Sequence, residues 1–547
     1  MVKSSDQDPF LWISHPPAAG VALHFASASW SWQRHTYESL ARLTLQMADG
    51  FLHFGIRRND VVVIVLPGGS EFVAALFGSM LAGAIPSVVA PPRAFQSGAA
   101  YDSHLCNVLE TASPRLVLTS AELVPSVVSV PGTKTEVITA DELVNAGASG
   151  SATPRPARAD LALLQFTAGS SGQVRGVRVS YKALEANVAA IRSWLDWSSH
   201  DSAAFWVPHY HDMGLIGGLI APMASQCDVW LLSPEQFVRR PLEYLRCFGE
   251  RGARLTALPA FGLEYMTRRI RQADLHGMDF SAVKGFVVGA ELIDPATLTR
   301  FRDLLLPFGL PPNALLPAYG LAEATLAVTG VPLGQTWTAR SPSSGAAPVV
   351  GCGRPLGETE VAIVGEDAKP LPEAQIGEIV IHGTSVASGY NSPQSSSSLT
   401  IFAEGVLRSG DAGFVVGGEL FPVGRLGDSI KIRGRSLFAE LLETELTKAG
   451  YPREHNSVVL GMRDGSPAVV WISERLGGRD PREAVTLLSR LTEGAAVLLI
   501  QAARGAIPRT SSGKPRRRML WNAFIHDRVS GTVTSEFGPK KGDLSGN

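Results

Sequence analysis

The sequence predicts an α/β protein: a large N-terminal domain of doubly wound sheets with a smaller β-rich subdomain, then a small α+β C-terminal domain. Apolar, β-branched runs at 60–66 and 85–90 alternate with amphipathic helical patterns at 36–54 and 71–82. This alternation is typical of parallel strands joined by crossover helices. A chain of 547 residues is also longer than a single hydrophobic core usually accommodates, so two or more domains are expected.

The elements follow one another in a regular order. A hydroxyl residue, Thr36, opens the first helix, and strands alternate with helices as far as residue 139. A second unit of the same kind occupies 229–305, and paired strands of a β-rich subdomain are predicted at 361–364 and 377–381. After residue 428 a small α+β unit is predicted from segments at 458–461, 468–472, 482–491 and 497–501.

Composition narrows the class of protein. Hydrophobic residues make up 45% and charged residues 18% of the chain, which indicates a large buried fraction. The net charge of −1 gives no basic surface for DNA or RNA, so nucleic acid is excluded as the main partner. No signal sequence or apolar stretch of membrane-spanning length is present. The cysteines lack metal-site spacing and are expected to be reduced, in a soluble, cytoplasmic protein: Cys106, Cys227, Cys247 and Cys352.

A loop rich in hydroxyl groups and glycine follows the apolar run 161–166. Its spacing matches neither a Walker loop nor a hydrolase nucleophile elbow. Backbone N–H groups, hydroxyl groups and a cation would suit a phosphate, so we predict a phosphate-binding strand-to-helix turn, with an ordinary flexible loop as the alternative. The residues concerned are Thr167, Gly169, Ser170, Ser171, Gly172 and Arg175.

Further motifs combine turns with single polar residues. Each has a plainer interpretation when taken alone: a structural histidine, a solvated glutamate at a helix start, a turn dipeptide, or a solvated basic face in the case of Arg516–Arg518. Taken in order, the residues that we select are His211, Gly289, Ala290, Glu291, Tyr319, Gly320, Glu323, Asp411, Arg425 and Lys514.

The ordered series resembles the adenylate-forming superfamily, and most closely the fatty acyl-AMP ligases. The letters 208–217 are similar to that family's P-x-Y-H-D-M-G-L-I-G motif, and 319–325 read YGLAEAT. The stretch 408–413 resembles R-T-G-D-x-G, and 508–514 has the spacing Pro-x-x-x-x-Gly-Lys. The resemblance covers most of the chain, from about residue 36 to about residue 524.

The resemblance implies a site for ATP and Mg²⁺. It assigns catalytic roles to Lys514, His211 and Glu323, with Glu323 as the metal ligand. It places adenine against Tyr319, Gly320 and 289–291, the ribose at Asp411 and Arg425, and the phosphates at the loop 167–176. It also implies an N-terminal adenylation domain at 1–427, a mobile C-terminal lid domain at 428–530 that swings about a hinge near Asp428, and a flexible tail at 531–547.

The activity so implied is that of a fatty acyl-AMP ligase. Such an enzyme forms an acyl adenylate and pyrophosphate, then transfers the acyl group to the phosphopantetheine thiol of an acyl carrier protein, in polyketide, lipopeptide or lipid biosynthesis. Two alternatives stay open: an acyl-CoA ligase, favoured by the short segment 331–349, and a catalytically weak module that binds acyl adenylates.

The sequence departs from the family pattern at three places. Arg175 replaces the usual lysine of the phosphate loop, and an arginine differs from a lysine in reach and geometry. The residues 436–439 replace the family's N-H-Y-P, which bears on the thiol-transfer conformation. The acyl-pocket segment 259–265 is atypical, so the sequence leaves the length of the acyl chain open.

Overall fold

The computed structural model describes residues 8–17, 20–92, 98–128, 130, 135–148, 155–168, 174–342, 348–391, 399–403, 405–432, 435–463, 466–492, 495–510 and 513–537. Its α-helices are α1 (Leu11–Ser14), α2 (Tyr37–His53), α3 (Ser70–Leu81), α4 (Gly98–Ala112), α5 (Val124–Val128), α6 (Ala140–Ala148), α7 (Tyr181–Trp194), α8 (Ala221–Ala224), α9 (Pro234–Arg239), α10 (Pro241–Gly249), α11 (Ala260–Arg269), α12 (Pro295–Leu305), α13 (Ala439–Lys448), α14 (Pro481–Leu491) and α15 (Arg517–Ile525). A π-helical segment, Met213–Ile220, leads directly into α8.

The β-strands of the same residues are β1 (Ala22–Ala26), β2 (Trp32–Thr36), β3 (Val61–Val65), β4 (Ile85–Val88), β5 (Leu116–Thr119), β6 (Glu136–Thr139), β7 (Leu161–Ala168), β8 (Val174–Ser180), β9 (Ser202–Phe205), β10 (Asp228–Leu231), β11 (Leu255–Pro259), β12 (Gly285–Gly289), β13 (Leu315–Gly320), β14 (Ala327–Gly330), β15 (Ala339–Arg340), β16 (Val349–Val350), β17 (Arg354–Pro355), β18 (Glu360–Val364), β19 (Gly377–His382), β20 (Ile401–Ala403), β21 (Val406–Val416), β22 (Glu419–Arg425), β23 (Ser429–Ile432), β24 (Arg435–Phe438), β25 (Asn456–Arg463), β26 (Ser466–Ser473), β27 (Ala496–Ala502) and β28 (Gly531–Phe537).

Two sheets form the centre of the large N-terminal part. The first has nine strands in the order β17-β14-β13-β12-β11-β9-β10-β1-β2 and is parallel from β13 to β1, with antiparallel strands at its edges. The second, β4-β3-β5-β6, is parallel throughout. Both confirm the parallel, doubly wound arrangement that the alternating apolar runs predicted.

Local signals in the sequence explain where the elements begin. Thr36 caps α2 by accepting a hydrogen bond from the N–H of Ser39 at 3.1 Å, as its position before the helical pattern predicted. The continuous apolar run of β3, Val61–Val65, is almost fully buried, as expected for a strand covered on both faces. The predicted pairing of 361–364 with 377–381 is confirmed by the antiparallel strands β18 and β19 of a five-stranded sheet.

A separate pair of hydrophobic cores lies at the C-terminal end. One face of the sheet β25-β26-β27-β28 packs on α13 and α14 through Leu446 and Leu488, and the other packs on α15 through Leu520. Both cores contain only residues after position 429. The boundary between residues 427 and 428 itself remains a prediction.

Two sequence expectations are wrong. The loop after 161–166 joins β7 to the antiparallel strand β8, so it is a hairpin connection and not a strand-to-helix turn. The reason is the alternating pattern of Val174–Ser180, which continues a strand before α7 begins at Tyr181. Part of the expected flexible tail, Gly531–Phe537, is strand β28 and pairs with β27; residues 538–547 lie outside the described part.

No helix in the described part of the chain is long and apolar enough to cross a membrane. The described cysteines are free thiols, and Cys227, Cys247 and Cys352 are buried, where burial raises the pKa of each thiol. They therefore behave as small apolar core residues in this structure.

Asn187 holds two segments of the large domain together. Its side chain in α7 is fully buried, donates to the carbonyl of Ala327 at 2.8 Å and accepts from the N–H of the same residue at 3.1 Å. The amide thus acts like a neighbouring strand for the first residue of β14.

Asn187→Ala is expected to lower the free energy of unfolding by about 2–4 kcal/mol, because it removes two buried hydrogen bonds to the backbone of Ala327. Urea denaturation measures this change. Asn107→Ala, at an exposed position of α4, is the control and should shift stability by less than about 0.5 kcal/mol. Equal midpoints for the two variants would contradict the role of Asn187.

His209 makes stability depend on pH. Its ring stacks on Phe72 with centroids 5.1 Å apart, and burial lowers the pKa of His209 to about 4, from 6.5. The unfolded chain therefore binds a proton between pH 6.5 and 4 that the folded chain does not. The contribution of this residue is complete above pH 6.5 and is lost as the pH falls toward 4.

His209→Gln is expected to flatten the acid side of the stability profile, with the slope reduced by at most about 1.4 kcal/mol per pH unit. The measurement is urea denaturation at intervals between pH 7 and pH 4. His276→Gln, at an exposed histidine, is the control. If the free energy of unfolding depends on pH in the same way in the wild type and in His209→Gln, the fold does not lower the pKa of this imidazole.

Candidate active site

The candidate site lies where the parallel strands of the nine-stranded sheet end. β9, β12 and β13 end at Phe205, Gly289 and Gly320, and a predicted motif follows each of them. Since these strands run parallel with β11 between them, their carboxyl ends share one edge of the sheet. That edge is where α/β sheets usually bind ligands.

A network of three side chains joins this edge to the β-rich subdomain. Tyr319 Oη donates a hydrogen bond to Asp411 Oδ2 at 2.8 Å. Arg425 Nε lies 3.2 Å from Asp411 Oδ1, because the register of β21 and β22 places the two residues opposite each other. Asp411 raises the pKa of Arg425 above its usual value, and burial raises the pKa of Tyr319, so the phenol stays a neutral donor.

One oxygen of Asp411 has a charged neighbour but no hydrogen bond. Its carboxylate is mostly buried, yet Oδ1 accepts no hydrogen bond from the residues that the structure describes. The turn that carries it is fixed, since Asp411 N donates to Ser409 Oγ at 3.0 Å and Gly410 N donates to Glu378 Oε1 at 3.2 Å. Arg425 neutralises part of the charge on this oxygen without donating a hydrogen bond to it, and a ribose hydroxyl group would supply one. The residue fits the predicted ribose contact.

Glu323 occupies a tight turn, Ala322–Ala324, between β13 and β14. The sequence predicted a helix start here, and the structure has a single 3₁₀ turn: Leu321 N donates to Leu326 O at 2.9 Å, so the chain then reverses into β14. Gly320 is required there, because a Cβ at this position would collide with the carbonyl of Leu326. The turn places the carboxylate at the edge of the sheet.

The surroundings of Glu323 fit a magnesium ion. The residue is 9% exposed, and its Oε1 accepts a hydrogen bond from Tyr390 Oη at 2.6 Å. No described residue donates to its second oxygen. In the described ranges no group of three or more His, Cys, Asp or Glu could hold a metal by itself. A Mg²⁺ ion at Glu323 would therefore need ligands from substrate phosphates and water as well, as is usual for this ion.

The segment 289–291 is shaped by its backbone. A Cβ at Gly289 would lie 2.9 Å from the carbonyl oxygen of Ala318, and Ala290 takes a φ of +66°. Glu291 Oε1 accepts a hydrogen bond from Phe261 N at 2.6 Å and so caps the start of α11. Burial raises the pKa of Glu291. This carboxylate therefore holds the helix of the atypical segment 259–265, a contact that the sequence did not indicate.

His211 stands just before the π-helical segment, as predicted. Its carbonyl accepts a hydrogen bond from Leu215 N at 2.8 Å, and its ring is tilted against Tyr210 at 5.0 Å. Gln165 in β7 donates to the carbonyl of Tyr210 at 3.0 Å. The strand that precedes the predicted phosphate loop is thereby tied to the segment that carries His211.

Asp212 adds a carboxylate that we did not select from the sequence. It accepts the N–H of Met213 at 2.8 Å and lies within the electrostatic reach of Glu323 and Lys514. Burial raises the pKa of Asp212 to about 6 against the hydrogen bond from Met213; Glu323 adds to the rise, and Lys514 opposes it. The sequence signal that could have identified this residue is its place inside the motif 208–217.

The loop that carries Lys514 is closed by its own backbone. Thr510 N donates to Lys514 O at 2.8 Å, and Lys514 N donates to Thr510 Oγ1 at 3.1 Å. Arg509 Nη1 donates to the carbonyl of Gly513 at 3.0 Å, and Gly513 takes a φ of +85°, which favours glycine. The glycine before the lysine is therefore required by the turn.

Charged groups of the large domain act on the ammonium group of Lys514. The charges that act on its ammonium group are those of Arg425, Glu291, Asp411 and Asp212. Lys514 is exposed to solvent, yet desolvation lowers the pKa of its ammonium group, with Arg425 acting in the same direction. It forms no ion pair within 4 Å with any described residue. The ammonium group is thus placed between charges and is available to a ligand.

Arg517, the first residue of α15 and next to this loop in the chain, forms ion pairs with three carboxylates. The sequence left Arg516–Arg518 as a solvated face, and for Arg517 that interpretation is wrong. Its guanidinium is buried and donates to Asp428 at 3.0 Å, to Glu440 at 2.6 Å and to Glu443 at 2.7 Å. Burial raises the pKa of Glu440 to about 7, against the attraction of Arg517. The cluster joins the expected hinge residue to α13 and α15.

The predicted phosphate loop is described only at its two ends. Thr167 and Arg175 are opposite each other in the register of β7 and β8. The Arg175 guanidinium lies over the ring of Tyr390, 5.3 Å from its centroid. Gly169, Ser170, Ser171 and Gly172 lie outside the described residues.

Comparison with known proteins places the chain in a family. A family model described as AMP-binding enzyme matches residues 16–391. A putative acyl-CoA synthetase of Caulobacter vibrioides is 30% identical, over 89% of this chain and 90% of that protein. The long-chain-fatty-acid–AMP ligase FadD32 of Mycolicibacterium smegmatis is also 30% identical, over 88% and 87% of the two chains.

A solved structure agrees with these matches. It belongs to the fatty acyl-adenylate ligases studied from E. coli and L. pneumophila, and it superposes with a TM-score of 0.86 at 25% identity, over 95% of this chain and 98% of that one. The resemblance and the fold class inferred from the sequence are confirmed. The chain belongs to the AMP-binding enzyme family and has the fold of the adenylate-forming enzymes.

Proposed function

We propose that the protein is a fatty acyl-AMP ligase. It activates a fatty acid with ATP to an acyl adenylate and pyrophosphate, then transfers the acyl group to the phosphopantetheine thiol of an acyl carrier protein. The relatives named as fatty-acid–AMP ligases and acyl-CoA synthetases support the first half-reaction. The observation that carries the proposal is that the charges of Arg425, Asp411 and Asp212 all act on the ammonium group of Lys514.

In the first half-reaction, a carboxylate oxygen of the fatty acid attacks the α-phosphorus of ATP. The bond from that phosphorus to the bridging oxygen of the β-phosphate breaks, and pyrophosphate leaves with its charge. Both reactants are anions, so the protein must neutralise charge and align the two groups, without any nucleophile of its own. Lys514 would contact the carboxylate and the α-phosphate together.

The other residues orient the nucleotide. Asp411 and Arg425 would hold the ribose, while Tyr319, Gly320 and the segment 289–291 would bound the adenine. Thr167, Arg175 and the intervening loop would contact the β- and γ-phosphates, with His211 between the phosphates and the acyl chain. Glu323 would hold Mg²⁺, which neutralises phosphate charge when bound.

In the second half-reaction, the thiol sulfur attacks the acyl carbonyl, loses its proton and displaces AMP. We propose that the unit 428–530 rotates about the region of Asp428 to admit the thiol, as a lid does. The pantetheine arm would come from a carrier protein or from a polyketide or peptide synthase.

Coenzyme A is the second candidate acceptor. The segment 331–349 is short, and one relative is named a putative acyl-CoA synthetase. Incubation of the purified protein with ATP, a fatty acid and either CoA or a holo-carrier protein distinguishes the two by mass spectrometry. We expect the thioester of the carrier protein to form faster. If the CoA thioester forms faster, the acceptor is CoA and not a carrier protein.

The activity itself is tested by pyrophosphate release and by trapping acyl adenylates with hydroxylamine, across a panel of medium- and long-chain fatty acids. We expect release that depends on the fatty acid and on Mg²⁺. A protein that binds ATP and acyl adenylate but releases no pyrophosphate with any acid of the panel would be a binding module, and the proposed reaction would be wrong.

Lys514→Ala is expected to lower the rate of acyl-adenylate formation by a factor on the order of 100 or more, because one charge contact to the transition state is lost. ATP binding, measured by calorimetry, should persist. Lys448→Ala is the control, since Lys448 is an exposed lysine of α13 paired with Glu445. An unchanged rate in Lys514→Ala would remove this lysine from the reaction.

A further inference from the structure

Tyr390 is held beside the predicted phosphate loop by the backbone. The segment 388–391 runs along β8: Ser388 N donates to the carbonyl of Arg178 at 2.9 Å, Arg178 N donates to the carbonyl of Gly389 at 2.9 Å, and Asn391 N donates to the carbonyl of Gly176 at 2.7 Å. Tyr390 itself faces Val177 in an antiparallel bridge. The segment thus adds a short third strand to the hairpin of β7 and β8.

The ring of Tyr390 touches two charged groups of opposite sign. Its Oη donates a hydrogen bond to Glu323 Oε1 at 2.6 Å. The Arg175 guanidinium lies over the ring at 5.3 Å from the centroid, and Phe402 packs against the ring edge-on at 5.1 Å. One side chain therefore contacts both the cation of the loop and the carboxylate that fits a metal ion.

The chemistry of the two contacts differs. A phenol that donates to a carboxylate fixes one oxygen and leaves the other directed at a ligand, an arrangement typical of groups that orient metal-binding carboxylates. Burial raises the pKa of Tyr390, and Glu323 acts in the same direction, so the phenol keeps its proton at neutral pH. A guanidinium is planar and weakly hydrated, so it packs on an aromatic face better than an ammonium group does.

We propose that Tyr390 is a positioning residue for the metal-triphosphate site: its hydroxyl orients Glu323 toward Mg²⁺, and its ring holds the Arg175 guanidinium toward the phosphates. The second contact accommodates an arginine where the loop of related enzymes carries a lysine. This inference rests on the proposed function, because it assumes that ATP and Mg²⁺ bind at Glu323 and Arg175.

The test measures ATP binding by titration calorimetry over a series of Mg²⁺ concentrations, without fatty acid and therefore without turnover. Tyr390→Phe keeps the ring and removes the hydroxyl. We expect its affinity for ATP without Mg²⁺ to stay within about twofold of the wild type, while the Mg²⁺ concentration needed for half-maximal enhancement rises about tenfold.

The matched control is Tyr451→Phe. Tyr451 also donates one hydrogen bond, from Oη to the carbonyl of Asp480 at 3.1 Å, but it lies in the C-terminal cores. Its Mg²⁺ dependence should equal that of the wild type. An equal Mg²⁺ dependence in Tyr390→Phe, or a loss of ATP affinity that is the same at every Mg²⁺ concentration, would overturn the role of the hydroxyl.

The ring contact is tested by a double-mutant cycle of Tyr390→Leu and Arg175→Lys. We expect Tyr390→Leu to weaken ATP binding about threefold more when residue 175 is arginine than when it is lysine. Additive effects would overturn the ring contact. Arg175→Lys retains the charge and disturbs no core. If Tyr390→Leu lowers the melting temperature, it does so in both backgrounds, so the difference between the two backgrounds remains informative.

The outcomes separate this inference from the proposed function. A wild-type protein that binds ATP with Mg²⁺ but releases no pyrophosphate with fatty acids would contradict the ligase activity and leave the Tyr390 comparison valid. A wild-type protein that binds no ATP at any Mg²⁺ concentration would contradict both.

Discussion

The structure depends on the placement of one ammonium group among charges that belong to distant parts of the chain. Lys514 faces the repulsion of Arg425 and the attraction of three carboxylates, without a direct ion pair to any described residue. Two features make this arrangement possible. The loop 509–516 is closed by its own backbone hydrogen bonds, and Arg517 fastens the following helix to Asp428, Glu440 and Glu443. A cation held in this way is available to anionic reactants.

The sheets determine where these charges meet. Parallel strands bring 206–212, 289–291 and 319–325 to one edge, and the antiparallel pair β21 and β22 brings Asp411 opposite Arg425. Tyr319 joins the two systems by its hydrogen bond to Asp411, and Tyr390, beside β8, joins the hairpin of β7 and β8 to Glu323. Since burial raises the pKa of both phenols, they act as neutral donors that orient carboxylates without cancelling their charge. Each of these carboxylates keeps an oxygen that accepts no hydrogen bond from the described residues.

Much of this was predictable from the sequence. Apolar runs alternating with helical patterns gave the parallel sheets, the cap at Thr36 and the helices, because these signals are local. The motifs gave Tyr319, Asp411, Arg425 and Lys514 as neighbours, because the resemblance supplied their order. The hairpin of β7 and β8, strand β28 and the three carboxylates on Arg517 depend on contacts between distant segments. Tyr390 and Asn187 were missed for the same reason: neither differs in local sequence from an ordinary core or turn residue.

The central claim is that Lys514 and Asp411 bind the same acyl adenylate. The most direct measurement is a crystal structure of the protein with a non-hydrolysable acyl-adenylate analogue, such as an acyl sulfamoyl adenosine. The account predicts hydrogen bonds of about 3 Å from Lys514 Nζ to the acyl and phosphate-mimicking oxygens, and from a ribose hydroxyl to Asp411 Oδ1. An analogue bound elsewhere, or bound at Asp411 with the ammonium group of Lys514 directed away from it while the C-terminal unit keeps the arrangement described above, would contradict the account.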